Sequence, residues 1–176
     1  MPKKLETTVY TYDELDEKAQ QKAREWMLEN SYHDNWWECT YEDAEQVGLK
    51  LTEFDLDRNR HAKGEFIAGP LEVAENILKE HGESCETYKT ALQFKTFYVP
   101  MIEKLDQLQA DDELVEQAME YESQMEDHAD EFLAELLEDY SIMLQKESEY
   151  LSSDEHIEET IRANEYTFLE NGKRFG

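Results

Sequence analysis

The chain is predicted to be a helix-rich α+β protein. Its small antiparallel sheet is drawn from both chain ends plus a central hairpin, and one helix is long and acidic. Three observations predict this. Apolar residues recur at helical spacing along most of the chain. Short β-branched and aromatic runs occur near the two ends and between residues 49 and 68. Across residues 111–160 stand nineteen acidic residues and one basic residue, Lys146.

The elements follow in order. Residues 7–12, Thr-Thr-Val-Tyr-Thr-Tyr, are β-branched and aromatic and predict a first strand. Asp13 is placed to cap a helix carrying Leu15, Ala19, Ala23, Trp26 and Met27 at helical spacing. A second helix is expected over residues 34–47, with Trp36, Trp37, Tyr41 and Ala44 on one side and Gly48 ending it. Leu49, Leu51, Phe54 and Leu56 make a second strand and residues 64–68 a third, joined by the polar link Asp57-Arg58-Asn59-Arg60-His61. Pro70 starts a helix with Leu71, Ala74, Ile77 and Leu78 inward and Gly82 as its C-terminal cap. Ser84 caps the next helix, which Pro100 is expected to kink or break near Val99. The longest pattern runs over residues 111–151, with an apolar stripe from Leu114 through Met125, Leu136 and Tyr140 to Leu151. A short helix with Ile157 and Ile161 follows, and Asn171-Gly172 signals a hairpin turn near the C-terminus.

Length and composition set the frame. A chain of 176 residues fits a single α+β domain over 1–176, with the acidic helical segment at about 111–163. Net charge is −27 and pI about 4.3. Such charge accompanies disorder when hydrophobicity is low. Here 39% of residues are hydrophobic and 11% aromatic, and Gly and Pro are few, so a folded chain is expected. Direct binding to nucleic acid or to an anionic membrane is disfavoured, because both surfaces are negative. No apolar run approaches a membrane span, and no apolar signal region follows the basic N-terminus. Cys39 and Cys85 imply no disulfide framework, so a cytoplasmic location with free thiols is expected.

The acidic run is the leading candidate site. Like charges four apart on a helix repel by a few tenths of a kcal/mol. A run that accepts this repulsion either keeps the protein soluble or faces a positive partner. Fifteen acids in residues 111–149 give one charge per ~4 Å if helical. One strand of duplex DNA carries one about every 3.4 Å. Glu116, Glu120, Asp127, Asp130, Glu131, Glu135, Glu138 and Asp139 are therefore the expected partner-binding residues, less any that turn inward.

Other motifs are weaker. Residues 55–66 open like a calcium loop but place Arg60 at the glycine position and Phe66 at the glutamate position. What stands out there is a basic island, Arg58, Arg60 and Lys63 with His61. It is expected to form local ion pairs with Asp55, Asp57 or Glu65, with a phosphate or acidic partner as the alternative. His81/Cys85 and His33/Cys39 are candidate thiolate or zinc pairs, but their spacings match no common zinc module and structural cysteines are expected. Trp26, Trp36 and Trp37 are read as core before ligand platform. No catalytic residue, metal site or cofactor is assigned.

Several of these segments occur together in a way that resembles a known group. They are Tyr12-Asp13-Glu14-Leu15, Trp36-Trp37-Glu38, Tyr41-Glu42-Asp43-Ala44, Gly48-Leu49-Lys50, Phe54-Asp55-Leu56-Asp57-Arg58, Gly64-Glu65-Phe66, Glu138-Asp139-Tyr140 and Glu165-Tyr166. The chain resembles small acidic proteins of phages and other mobile elements, some labelled antitoxin-like. That resemblance implies a mobile-element setting and names no chemistry. The function expected is a non-enzymatic, anti-restriction or anti-CRISPR type inhibitor that binds a basic nucleic-acid-handling host protein as a DNA mimic. The alternatives are an antitoxin that binds its toxin, or a small enzyme using Cys85 and His81 or the basic island. A homodimer through the long apolar stripe stays open.

Overall fold

A computed structural model of the chain describes residues 1–31 and 35–176. Among these residues are six α-helices and one two-stranded antiparallel sheet, a helix-rich α+β fold. The chain forms two compact units, Met1–Trp36 with Lys146–Gly176, and Trp37–Gln145.

The first unit is built on α1 (Glu17–Asn30) and α6 (Asp154–Ala163). Each starts at a side-chain cap that satisfies an otherwise unpaired amide. Asp16 accepts from the Ala19 amide at 2.8 Å, and Ser153 Oγ from the His156 amide at 3.3 Å. The cap of α1 is thus Asp16, three residues beyond the expected Asp13. Asp13 lies in a 3-10 turn, Tyr12–Glu14, and pairs with Arg162 at 2.9 Å. Tyr12, Leu15, Ala19, Ala23, Met27, Ile157, Ile161 and Phe168 form this unit's core.

The chain ends do not make the expected strands. Tyr10 and Phe168 exchange backbone hydrogen bonds at 2.8 Å, and Phe168 bridges Arg174, each as an isolated bridge. The 3-10 turn takes up Tyr12, and Glu14 accepts from the Thr11 amide, so pairing cannot extend. The Asn171-Gly172 turn is present. Gly172 has φ +83, and a Cβ there would lie 2.2 Å from the Ala19 carbonyl oxygen, so only glycine fits.

The second unit begins with α2 (Glu38–Val47), which Gly48 ends in the left-handed conformation at φ +95. The expected start near residue 34, and His33 of the His33/Cys39 pair, lie outside the described residues. Strands β1 (Leu49–Asp55) and β2 (His61–Phe66) pair from Leu49 opposite Phe66 to Asp55 opposite His61. A bulge between Leu51 and Glu53 shifts the register and brings Glu53 opposite Lys63.

Helix α3 (Pro70–Glu80) starts at its proline as expected. It ends one residue before the expected glycine cap, because His81 leaves it in an extended conformation at φ −94. Helix α4 (Glu86–Gln109) is capped at the Cys85 position, not at Ser84, and runs through Pro100 without ending. Thr96, whose carbonyl loses its donor at that proline, is exposed along with Pro100, so water can take the vacated bond.

Helix α5 (Val115–Leu151) follows a 3-10 turn, Asp112–Leu114, and realises the long acidic pattern in one element. Its residues to Gln145 belong to this unit. Phe132, Leu136 and Tyr140 of α5 join Ala44, Val47, Leu49, Val73, Ile77 and Phe94 in the core. Three contacts set α4 and α5 antiparallel: Thr90 with Asp139, Phe94 with Phe132, and Lys104 with Tyr121. Among the described residues no helix is long and apolar enough to cross a membrane.

Candidate functional site

Helix geometry decides which acids of α5 face outward. At about 100° per residue, Glu116, Glu120, Asp127, Asp130, Glu131 and Glu138 fall within an arc of roughly 100°. The buried Ala118, Met125, Phe132 and Leu136 lie on the opposite side. All nine acids between Glu116 and Glu138 are exposed, about one per 4 Å of helix axis. The six on the common stripe are sparser, about one per 6 Å. Only the full exposed set therefore approaches the axial charge spacing of one DNA strand.

Seven of the eight residues singled out from the sequence are exposed: Glu116, Glu120, Asp127, Asp130, Glu131, Glu135 and Glu138. Glu131 has His128 Nδ1 3.8 Å away. Asp139 is the one that turns inward. Its position on the helix wheel borders the apolar side, and it accepts from Thr90 Oγ1 at 2.7 Å. Burial pushes its carboxyl above the ordinary carboxylate value, against the Thr90 hydrogen bond, with Glu86 and Glu138 adding to the rise.

The basic island divides. Arg60 folds onto α5, where its guanidinium donates to Glu138, to Gln145 Oε1 at 2.9 Å and to Ser141 Oγ at 3.2 Å. Lys63 pairs with Glu53 at 2.6 Å across the hairpin. Only Lys63 pairs within the hairpin; Arg60 pairs with Glu138 of α5, and neither takes the expected Asp55, Asp57 or Glu65. The bulge in β1 and the long reach of Arg60 to another element account for the difference. Arg58 stays exposed at the hairpin tip.

His81 does not pair with Cys85, which is exposed. Its Nε2 faces the Asp43 carboxylate at 3.0 Å, and its Nδ1 lies 2.6 Å from Thr87 Oγ1. Tyr140 donates to the same carboxylate at 2.8 Å. Burial pushes the Asp43 carboxyl up, and the hydrogen bonds from His81 and Tyr140 more than reverse this, holding it below its ordinary value. Burial and the neighbouring Asp43 raise the Tyr140 phenol. A carboxylate, an imidazole and a hydroxyl in line resemble nucleophile-activating geometry. Here the hydroxyl is closed off, since Thr87 is 2% exposed, so the cluster orients helices and presents no nucleophile.

Sequence reading missed this cluster. Asp43, His81, Thr87 and Tyr140 lie on or beside four helices, and no local spacing links them. The available signal was His81 immediately after an apolar helical pattern. Among the described residues no group of His, Cys, Asp and Glu is arranged to hold a metal ion. Trp26 packs edge-on to Tyr166 at 5.4 Å and Trp37 edge-on to Phe54 at 5.8 Å.

The chain matches no family model, no curated protein and no solved structure. Its functional reading therefore rests on the residues themselves.

Proposed function

We propose that this chain is a non-enzymatic inhibitor from a phage or other mobile element, directed at a host defence system of the restriction or CRISPR kind. It binds a basic nucleic-acid-handling protein through the outward acids of α5 and competes for the groove that takes nucleic acid. The observation that carries the reading is the exposure of all nine acids between Glu116 and Glu138 on one continuous helix, with no Lys or Arg in that stretch. A helix fixes their spacing, which a disordered tail would not. Attraction between such a surface and a basic groove speeds association and weakens with salt.

The test is binding to purified restriction and CRISPR nucleases across a salt series, with Glu116, Glu120, Asp127 and Asp130 changed to Lys. Affinity for the true target is expected to fall about tenfold or more between low and physiological salt. The charge-reversed protein is expected to lose binding and the DNA competition with it. Binding that ignores both salt and charge reversal rejects the mimic.

A second reading, an antitoxin that masks its toxin, draws on exposed apolar side chains of the same helix. Val115 is 53% and Met119 66% exposed. It predicts co-purification with a toxic protein and contacts that survive high salt but not Met119→Asp.

A further inference from the structure

The second unit carries a groove between α4 and α5 that the acidic stripe does not explain. Gln93, Phe97 and Met101 recur every four residues along α4 and form one wall. His128, Glu131 and Glu135 form the other, from α5. The floor is aromatic: Phe94 and Phe132 stack at 4.0 Å with their planes 3° apart, and Tyr98 stacks on Phe94 at 4.6 Å. The cavity is about 200 Å³ and open to solvent along one side. Phe97, on its wall, is 65% exposed, a large apolar ring left in water.

We propose that this groove binds an arginine side chain of a basic partner, with the guanidinium against the aromatic wall and its N–H groups donated to Glu131 and Glu135. The inference rests on the partner being basic, as proposed above, and adds the residue type it presents.

Charge and shape select this occupant. A second copy of the chain, at net charge −27, would bring carboxylates to carboxylates. A nucleic acid would meet the same repulsion. An uncharged apolar ligand would leave Glu131 and Glu135 partly desolvated with no donor, which is costly. A guanidinium satisfies both features. Its plane stacks on aromatic rings, and its forked donors match a carboxylate or span two. Lysine offers a compact, strongly hydrated charge that does neither as well. The same helix pair already holds a cation over a ring, since Lys104 Nζ lies 4.6 Å from the Tyr121 ring centre. Glu131 and Glu135 are four residues apart on α5, so they stand one above the other along the groove.

The test compares two short synthetic peptides of equal charge, one carrying arginine and one carrying lysine at every basic position, titrated into the full chain by calorimetry. The arginine peptide is expected to bind about tenfold more tightly. That preference is expected to vanish in Phe97→Ala and in the double change Glu131→Gln with Glu135→Gln. Phe97 is exposed, so its variant keeps the fold, which far-UV circular dichroism checks. In NMR spectra the arginine peptide should shift the Met101 methyl and the His128 ring signals first. Equal affinity for the two peptides, an arginine preference that persists in Phe97→Ala, or no binding by either peptide overturns the groove assignment. None of these outcomes decides the charge-mimic reading, whose test residues Glu116, Glu120, Asp127 and Asp130 do not line the groove.

Discussion

Asp43 and Glu120 are both carboxylates on helices, and the fold treats them in opposite ways. Asp43 is half-buried and accepts hydrogen bonds from Tyr140 and His81. Asp139, on α5 itself, accepts from Thr90. Glu116, Glu120, Asp127 and Asp130 stand in water with no ion pair among the described residues. The inward carboxylates tie elements together, so their loss should register in stability. At Glu120, Asp127 and Asp130 the charge adds only repulsion along α5, about a few tenths of a kcal/mol for each pair four apart, whereas Glu116, in the first turn, suits the helix dipole. Negative charge kept where it returns nothing to the fold is what points to a partner.

The largest effect is expected at Asp43. In Asp43→Ala the buried Tyr140 hydroxyl and the His81 ring lose their acceptor, at a cost of about 2–4 kcal/mol in urea unfolding at neutral pH. Tyr140→Phe removes one donor and leaves the carboxylate with His81, so it should cost about 1 kcal/mol. The sign of the pH dependence follows from the lowered Asp43 carboxyl. Its contribution is fully present above the unfolded value of about 3.9, and is lost as pH falls through the lower folded value. If Asp43→Ala unfolds like the parent, the inward half of the comparison fails.

Asp139 should behave in the opposite sense, with a smaller effect. Its carboxyl is raised by burial, so the ionised form disfavours the folded state at neutral pH. Lowering pH through the raised folded value towards the unfolded one removes that cost. Asp139→Asn keeps an acceptor for Thr90 Oγ1 and carries no charge. It should therefore stabilise the protein at pH 7, and the gain should disappear below about pH 3.9. Urea midpoints of parent and variant at pH 7 and pH 3.5 measure both arms. A variant that is less stable at pH 7 would mean that the Thr90 contact needs the charge.

Much of this was readable from residue order, and the failures share a cause. Periodicity located α1, α3, α5 and α6 because each buries a stripe of its own, as Ala118, Met125, Phe132 and Leu136 do on α5. Capping chemistry placed Gly48 and Pro70 because those effects act within a turn. Residues 7–12 misled because strand propensity says nothing about the partner, and among the described residues Tyr10 bridges only Phe168. Pro100 does not break α4, because the packed face of the helix and an exposed Thr96 let it continue. In the acidic surface, sequence supplied the charges, and the helix wheel also foretells that Asp139 borders the core. The Asp43 cluster and the α4–α5 groove join residues tens of positions apart, and local pattern does not encode such pairings.

The smallest effects are expected on the outward stripe, and they decide whether its charge is free of structural duty. Glu120→Gln or Asp127→Asn removes one member of a like-charged series and no hydrogen bond. Each should change stability by no more than about 0.5 kcal/mol, towards the stable side. Combining Glu120, Asp127 and Asp130 as amides should raise the thermal midpoint in dilute buffer. The advantage should shrink on adding salt to 0.15 M, where the screening length falls to about 8 Å. The parent should gain more from salt than the neutralised protein, because it has more repulsion to screen. Differential scanning fluorimetry of the pair across a salt series reads both trends. Destabilisation by the three amides would mean that these acids hold the helix in place, and their exposure would then say nothing about a partner.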